Sequence, residues 1–340
     1  STTATALRQN TPGTIARTYA TNTTDYGRLL SAGYRPNLFQ VNPNVSAANL
    51  ITNGGFSTYN ALQVEINRRL ATGLLLQGSY VWAKNLGESG QPTTLRNWGL
   101  DKGPVNNDLR NAFKINGLYQ LPVGLGHRFL GSNRILDRIF GGWEISGISR
   151  IQSGAAFELV SGRTGVNQNE AGVVLMNMTL PQLQNMVNIQ KITPAVTTAG
   201  QTPVGQVQYL PTSLINNTNA AFETNGQSWA TLNPNTPYIS PQLTSGQLGY
   251  EVFLRNPWQY HLDAAILKRT TIKERFKTEL QVNFDNVLNM TNFLLSTGPT
   301  STANGPGTTS FGRTTLAYND LAYNYDPGSR VIEIRLRVSF

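Results

Sequence analysis

The sequence of 340 residues contains no cysteine and only two histidines, His127 and His261. Without cysteine the chain has no disulfide framework, no thiolate metal site and no cysteine nucleophile. The two histidines lie far apart in sequence, which argues against a helical two-histidine zinc site and against a Ser-His-Asp triad. We therefore predict that the chain is not an enzyme and that it has no catalytic, cofactor-binding or metal-binding residue.

Charged residues and long apolar runs are also scarce. Only 13% of the residues are charged, against 39% that are hydrophobic, and this charged fraction is low for a soluble globular protein. No segment approaches the roughly 20 consecutive apolar residues that a membrane-spanning helix requires. Any membrane role must therefore depend on a β-barrel or on a surface contact.

The excess of positive charge does not indicate nucleic-acid binding. The formal net charge is +9, but lysine and arginine occur singly or in pairs rather than in long runs. A stripe of cations that follows a phosphate backbone is therefore not predicted. We expect no nucleic-acid partner.

The sequence is rich in turn-forming residues and in alternating patterns. Its 32 glycines and 17 prolines indicate many short extended segments joined by turns. Apolar and polar residues alternate with a period of two, which is typical of amphipathic strands, in seven segments. These segments are 59–69, 74–82, 111–121, 143–152, 261–266, 276–285 and 332–340.

The alternating segments favour a transmembrane barrel over a soluble sandwich. Strands of about ten residues match the tilted length that crosses a bilayer, and glycine occurs on the apolar face, where a packed core would need bulk. The predicted fold class is therefore all-β: an antiparallel transmembrane β-barrel portion of about seven to eight strands with long extracellular loops. The aromatic residues near the strand ends are predicted to lie at the membrane interfaces: Tyr80, Trp82, Tyr119 and Trp143.

The polar faces of the same strands suit a wet barrel lumen. The charged residues predicted to face this lumen are Glu65, Glu144, Arg150, Asp263, Lys277, Glu279, Asp285, Arg335 and Arg337. We interpret Asp263, Glu279 and Asp285 as parts of a charge ladder with neighbouring cations rather than as catalytic carboxylates.

The lengths of the connections predict the orientation. Segments 70–73 and 269–275 are short and 122–142 is intermediate, whereas the other links are long. Outer-membrane barrels have short periplasmic turns and long external loops, so we expect a Gram-negative outer membrane and a periplasmic C-terminus. The predicted regions are an extracellular loop segment at 1–55, barrel strands with one external loop at 56–153, a long extracellular loop region at 154–257, and C-terminal barrel strands at 258–340.

Two short helices are predicted in the connections. The run Arg134–Phe140, closed by Gly141 and Gly142, fits an amphipathic helix in a periplasmic turn. Thr179 followed by Pro181 predicts a capped helix start in the longest loop. We expect that second helix to organise a loop subdomain.

The sequence predicts an odd number of strands, seven, which bears on whether the chain can close a barrel by itself. Complete single-chain bacterial barrels have an even number of strands, so we expect this chain to form part of a larger barrel. A hidden eighth strand at Tyr34–Asn42 is the alternative, although Pro36 and Pro43 weaken it. The first strand would otherwise pair with a preceding polypeptide or with the edge of a neighbouring copy.

Several segments, taken in order, resemble the C-terminal barrel of bacterial TonB-dependent outer-membrane receptors. The resemblance is to the Oar-like branch, whose N-terminal extension is a carboxypeptidase-regulatory-like domain. The matching segments are Ser57–Val64, Gly78–Asn85, Leu118–Gly124, Gly141–Gly147 and Lys268–Phe293, the last of which includes Asn286–Phe293.

The resemblance implies binding or uptake of a bulky nutrient such as an oligosaccharide, peptide or chelate. It also implies contact with outer-membrane lipid, an N-terminal barrel and plug portion, and an energy-transducing inner-membrane partner that acts through that portion. The sequence itself contains no plug and about a third of a receptor's strands. The alternative is therefore a surface structural or adhesive protein, derived from a barrel, without active transport.

The final strand also resembles the C-terminal signal that the barrel assembly machinery recognises. Leu336, Val338 and Phe340 occupy alternating positions at the end of the chain. An exposed strand edge that ends in an aromatic residue is a natural template for strand addition. We predict that these three residues form an assembly signal.

Overall fold

The computed structural model of the chain is dominated by one antiparallel sheet. It describes residues 4, 12–35, 37–38, 42, 50–71, 73–88, 92–105, 107–129, 134–161, 163, 172–191, 206–242, 244, 250–272, 276–295, 305–318 and 329–340. The sheet has seven long strands: β1 Ser57–Ala71, β2 Leu74–Gly87, β3 Asn111–Gln120, β4 Trp143–Gln152, β5 Gln259–Ile272, β6 Phe276–Asp285 and β7 Val331–Ser339. All seven predicted strands are confirmed, as is the all-β class.

The long strands form a simple meander. Each strand pairs antiparallel with the next one in the sequence, from β1 to β7. A short strand, Gly103–Pro104, pairs with the C-terminal end of β2. Because consecutive strands run in opposite directions, successive connections lie at opposite ends of the sheet. The three short or intermediate connections therefore lie at one end, and the three long connections lie at the other.

Two glycines permit close turns at the short-connection end. Gly73, between β1 and β2, has a φ of 81° and a Cβ there would lie 2.7 Å from the carbonyl oxygen of Gln120. Gly142, before β4, has a φ of 68°, and a Cβ there would approach the carbonyl oxygen of Arg269 even more closely. Since both positions combine left-handed backbone with contact to a neighbouring strand, a side chain at either would strain the turn.

The sheet does not close on itself within the described part of the chain. β1 and β7 are its two edges, and no pairing joins them. Every residue of β7 is exposed. Of the predicted eighth strand at 34–42, the residues described are 34, 35, 37, 38 and 42, and none is in a strand; the others lie outside the described residues.

Among the described residues, five helices with both ends placed lie outside the sheet: α1 Pro12–Thr21, α2 Thr23–Ser31, α3 Arg134–Phe140, α4 Leu180–Asn185 and α5 Thr212–Ala221. Single 3₁₀ turns occur at Trp98–Asp101 and Trp229–Thr231. The predicted helix at 134–140 is confirmed. The sequence pattern does not predict α1 and α2, which occupy part of the segment interpreted as a loop. None of the helices in the described ranges is long and apolar enough to cross a membrane.

The long connections build a subdomain with its own core, which we call the loop subdomain. Its short strands are Ala156–Glu158, Val173–Met176, Gln190–Lys191, Val207–Gln208, Tyr238–Pro241, Phe253–Arg255 and Arg313–Thr314. Its core consists of Phe157, Leu159, Val173, Leu183, Tyr209, Leu210, Leu214, Ile215, Ala221, Phe222, Tyr238, Ile239, Leu254, Leu295 and Phe311. Leu295 and Phe311 come from the connection between β6 and β7, so two long connections fold together.

Helix α4 begins as the sequence predicts. Thr179 is the N-cap residue and forms a capping box with Gln182, and Pro181 lies in the first turn. Leu183 is fully buried in the core of the loop subdomain. The local start signal and one buried side chain therefore anchor this helix.

Candidate functional site: the two faces of the sheet

One face of the sheet is apolar across all seven strands. The register places Leu62 opposite Trp82, Tyr80 opposite Phe113, Tyr119 opposite Ile145, Ile145 opposite Ile266, Ile266 opposite Val282, and Val282 opposite Ile334. Many of these side chains are exposed, and Ile334 reaches 69%. Within the described residues no second sheet packs across this face. Only a partner outside the sheet could therefore shield these apolar side chains from water.

Two of the four predicted interface aromatics lie toward the long-connection end of this face. The ring of Tyr80 stacks on Phe113 with centroids 4.4 Å apart. Its hydroxyl donates a hydrogen bond to the Asn111 side chain at 2.8 Å. Trp82 is 52% exposed two residues further along β2.

The other two aromatics lie toward the short-connection end. Tyr119 is opposite Leu74 on β2, and the indole of Trp143 donates to the carbonyl oxygen of Ile139 at 3.2 Å. Leu74 and Trp82 are eight residues apart on β2, about 27 Å along a strand or roughly 20 Å along the normal at barrel tilt. This spacing approaches the apolar height of an outer-membrane barrel, about 25 Å. The interface role of these aromatics stays a prediction.

The opposite face is mainly polar, although strand parity also places Leu75, Leu118 and Ile148 on it, and it carries all nine of the charged residues predicted to face a lumen. Strand parity places Glu65 on this face of β1, and Glu144 and Arg150 on this face of β4. The remaining members lie on β5, β6 and β7: Asp263, Lys277, Glu279, Asp285, Arg335 and Arg337. Their common face follows from the period of two, whereas their exposure to a lumen stays a prediction.

At the short-connection end, charges of opposite sign alternate from strand to strand. Arg269 donates hydrogen bonds to Glu144 on one side and to Glu279 on the other, both at 3.2 Å. Gln120 donates to the same Glu144 carboxylate at 3.3 Å, and Arg337 lies directly opposite Glu279 on β7. This row is a charge ladder that includes Glu279 and Arg337 of the predicted one, whereas Glu144 and Arg269 are not among the residues predicted for it; pairing across strands offsets each charge.

The carboxylates nearer the long connections have structural partners. Asp263 accepts a hydrogen bond from the backbone N–H of Asn286 at 2.8 Å and is joined to His261 at 2.8 Å. Asp285 lies opposite Val331 at the end of β6. On the next strand, Glu333 accepts a hydrogen bond from Asn283 at 2.8 Å and pairs with Arg335 at 3.4 Å.

A cavity of about 440 Å³ opens on the polar face near β1 to β4. Its polar lining residues are Glu65, Asn67, Gln77, Ser79, Lys114, Asn116, Ser149 and Arg150, and its apolar ones include Ile66, Ile115 and Ile148. Lys114 and Arg269 are absent from the predicted set of lumen charges, although strand parity alone places both on this face. Arg150 and Lys114 lie directly opposite each other.

A buried ion pair fastens the loop subdomain to the sheet. The side chain of Asp108 is fully buried and pairs with Arg255, from Phe253–Arg255, and with Arg110 at 3.1 Å. Its other carboxylate oxygen accepts the backbone N–H of Asn85 at 2.7 Å. Removing the cationic partners of a buried carboxylate leaves an uncompensated charge and destabilises the fold. The sequence pattern does not predict this pair, because its members lie in two different long connections and Arg255 belongs to a strand of only three residues.

Two further carboxyl groups in the connections share an unusual environment. Burial and the nearby Asp101 raise the pKa of Glu158 to about 7. Burial, followed by Glu158, Asp101 and Glu88, raises the pKa of Glu251 to about 8. A buried carboxyl surrounded by like charges favours its protonated form. These groups therefore change charge near neutral pH.

The predicted assembly signal lies on the apolar face of the edge strand. Leu336, Val338 and Phe340 are 67%, 52% and 97% exposed. The register places Leu336 opposite Leu280 and Val338 opposite Thr278. No strand among the described residues pairs with the second side of β7, so its backbone could add a strand; recognition by the assembly machinery stays a prediction.

The described side chains offer no arrangement for metal chemistry. Within the described ranges no group of three or more histidine, aspartate or glutamate side chains is placed to hold a metal ion. The arrangement that the structure does provide is an amphipathic sheet: an exposed apolar face, a polar face with a charge ladder and a cavity, and a folded subdomain at one end.

Comparison with known proteins agrees with this arrangement. The family model described as an outer membrane beta barrel domain matches residues 5–332. No curated protein and no solved structure matches the chain significantly. The matched range covers nearly the whole chain and therefore includes the connections as well as the seven strands. The chain belongs to the outer membrane beta-barrel domain family.

Proposed function

We propose that the protein is part of a TonB-dependent-receptor-like barrel of the Oar-like branch, which binds or takes up a bulky nutrient. The observation that carries the proposal is the polar face of the sheet, which continues across seven strands and contains a cavity of about 440 Å³. A binding role also fits the absence of cysteine and the scarcity of histidine. No catalytic activity is included in the proposal.

The unpaired edges support a barrel wider than seven strands. In lipid, the backbone N–H and C=O groups along the free edges of β1 and β7 require partners. These partners are either an N-terminal barrel and plug portion or the edges of a neighbouring copy. The inner-membrane energy-transducing partner would act through the plug portion.

The proposed orientation follows from the connections. The loop subdomain lies at the end with the long connections, which in outer-membrane barrels faces outside. The C-terminus then lies in the periplasm, where the assembly machinery would bind Leu336, Val338 and Phe340 on the edge strand. Outer-membrane lipid would cover the apolar face.

A second candidate function is a surface structural or adhesive protein without active transport. The observation that favours it is the apolar core of the loop subdomain, in which Phe222, Leu254 and Phe311 are fully buried. A stably folded external subdomain can present a rigid binding surface.

Fractionation and uptake distinguish these possibilities. We expect the native protein in the outer-membrane fraction, and we expect deletion of its gene to abolish growth on one class of bulky nutrient. Dissipating the proton gradient across the inner membrane should stop accumulation of that nutrient but leave surface binding intact. Recovery of the protein from the soluble periplasm would contradict the barrel. Undiminished uptake with loss of cell attachment would instead favour the adhesive role.

A further inference from the structure

Charged residues are divided unequally between the two faces of the sheet. Every acidic residue of the seven long strands lies on the polar face: Glu65, Glu144, Asp263, Glu279, Asp285 and Glu333. The charged residues that strand parity places on the apolar face are all cationic: Arg68, Lys84 and Lys268. Basic side chains can cover apolar surface with their stems and hold the charge at the boundary between membrane and water. The rim of the apolar face is therefore positively charged.

Helix α3 extends this apolar face at the short-connection end. The indole N–H of Trp143, on the apolar face of β4, donates to the carbonyl oxygen of Ile139 at 3.2 Å. The ammonium group of Lys268, on β5, lies 5.4 Å from the centre of the Trp143 ring and donates to the carbonyl oxygen of Gly141. Side chains from two strands therefore fasten the C-terminal end of α3 to the edge of the apolar face.

The turn that precedes α3 packs against it. The Asp137 carboxylate accepts the backbone N–H of Leu125 at 2.8 Å, and the backbone N–H of Gly124 donates to the carbonyl oxygen of Phe129 at 2.8 Å. Asp137 is the only acidic residue between β3 and β4, and its carboxylate also lies near Lys268. The negative charge of this connection is thus directed at the turn and at the sheet.

The outward surface of this connection combines apolar and cationic side chains. Ile135, Arg138 and Ile139 are all exposed, and their spacing of three and four residues places them on one face of α3. The turn adds an exposed pair, Arg128 and Phe129, in which the guanidinium lies 5.5 Å from the centre of the ring. A helix with this mixture of side chains is typical of the interface between a membrane and water.

We propose that α3 and the turn before it form an interfacial anchor that binds the phosphate of anionic phospholipids through Arg128 and Arg138. Lipid is the partner that fits, because the exposed surface continues the apolar face of the sheet and carries positive charge. Arginine suits a phosphate group, since its planar guanidinium donates two parallel hydrogen bonds. The exposed apolar side chains of α3 would enter the boundary of the acyl chains.

The inference rests on the proposed placement of the apolar face in lipid, and it does not depend on nutrient uptake. In the proposed orientation the short-connection end meets the periplasmic leaflet of the outer membrane, which consists of phospholipid. The anchor would hold this end of the sheet at a fixed depth and favour anionic lipids around it.

Trp143 provides a local probe of this surface. The test uses the full protein with its other tryptophans replaced (Trp82→Phe, Trp98→Phe, Trp229→Phe and Trp258→Phe), folded into vesicles of phosphatidylcholine. Part of the lipid is then exchanged for phosphatidylglycerol with brominated acyl chains, or for brominated phosphatidylcholine as the comparison without net charge. Bromine quenches tryptophan fluorescence on contact. We expect phosphatidylglycerol to quench Trp143 at a lower mole fraction than phosphatidylcholine, and the ratio gives the lipid preference.

Each arginine should contribute to this preference separately. Arg128→Gln and Arg138→Gln should each lower it about fivefold, and the double variant should abolish it. Raising the salt concentration should also lower it. A matched control is Lys277→Gln, which removes an exposed cation at the same end of the sheet but from the polar face. This variant should keep the preference unchanged. Each variant is first checked for assembly by its heat-dependent mobility in gels.

Equal quenching of Trp143 by the two lipids, or a preference that persists in the assembled double variant, would overturn the phosphate site. Absence of quenching by either lipid in the assembled protein would overturn the anchor as a whole, and is the result expected if an acidic periplasmic protein covers α3 instead. Failure of the protein to insert into any vesicle would refute the proposed barrel itself. Nutrient uptake is measured separately: its absence, with the lipid preference intact, would refute only the proposed function.

Discussion

The seven-stranded sheet and the loop subdomain bury apolar surface in different ways. In the sheet, apolar side chains such as Ile66, Ile334 and Leu336 are exposed by more than 60%. In the loop subdomain, Phe222 and Phe311 are not exposed at all. The sheet leaves its apolar face exposed, and in the proposed barrel lipid would cover it, whereas the subdomain has its own core. Stability in the two regions should respond to different changes.

The largest expected effect is the loss of a core aromatic from the loop subdomain. Phe222→Ala should cost about 3–5 kcal/mol, because it removes a buried ring and leaves a cavity. The sheet should remain assembled, since none of its strands depends on this core. Protease digestion of intact outer membranes should cleave the long connections of the variant, while its heat-dependent gel mobility is retained.

The exposed Trp229, at 41%, provides the control for that experiment. Trp229→Ala should change protease resistance little, because surface truncations usually cost less than about 0.5 kcal/mol. If Phe222→Ala also abolished barrel assembly, the two regions would be one cooperative unit and the comparison would be wrong.

The next effect distinguishes the two faces of the sheet. Leu76→Lys places a charge on the apolar face and should cost about 2–4 kcal/mol if that position lies near the midplane of the bilayer. Gln77→Lys, one residue along β2, places the same charge on the polar face and should cost far less. Urea titration of the protein refolded into lipid vesicles measures both. Equal losses would indicate a sheet that is buried on both faces.

The pH dependence should be confined to the connections. The carboxyl groups of Glu158 and Glu251 have pKa values raised to about 7 and about 8 from an ordinary value of 4.5. Between the ordinary pKa of 4.5 and these raised values, the folded state binds more protons than the unfolded state. The free energy of unfolding therefore falls as pH rises. We expect the free energy of unfolding of the loop subdomain to fall continuously between pH 5 and pH 8.5 as the two carboxyl groups ionise.

Protease resistance of the long connections, measured across this pH range, checks that expectation. The double substitution of Glu158 and Glu251 by glutamine keeps the groups neutral and should remove most of the dependence. Resistance that increased with pH in the native protein would have the wrong sign. Heat-dependent mobility of the sheet should stay constant throughout.

The smallest effect concerns the start of α4. Thr179→Ala removes the side chain that caps the helix and should cost about 1 kcal/mol, while Thr179→Ser should retain the cap. Hydrogen exchange of the backbone amides at 182–186 should accelerate in the alanine variant only. Acceleration in both variants would assign the stabilisation to the methyl group of Thr179 rather than to its hydroxyl.

The strands were predictable from the sequence because one face of every long strand is mainly apolar and the other mainly polar. A residue such as Ile115 points to one side and its neighbour Asn116 to the other, so the pattern has a clear period of two. The capped start at Thr179 was predictable for a local reason, since its hydroxyl bonds within the same turn. The residues on each face follow from parity alone.

The core of the loop subdomain was not predictable in this way. Its strands have between two and four residues, too few to show a period. Helix α5 is rich in asparagine and threonine, yet Asn217 and Thr218 are buried because Asn217 bonds the carbonyl oxygen of Asn233 and Thr218 accepts the N–H of Ile239. Burial there depends on partners distant in sequence. The ion pair between Asp108 and Arg255 likewise joins residues that are distant in sequence.

Accessibility along a single strand tests most directly the claim that the two faces of the sheet meet lipid and water. Because the chain has no cysteine, spin labels can be attached to single cysteines introduced one at a time at 112–120 on β3. The account predicts that oxygen, which concentrates in lipid, reaches labels at 113, 115, 117 and 119, and that a water-soluble paramagnetic reagent reaches those at the even positions. Protection of both sets from both reagents, as in a buried two-sided sheet, would contradict it.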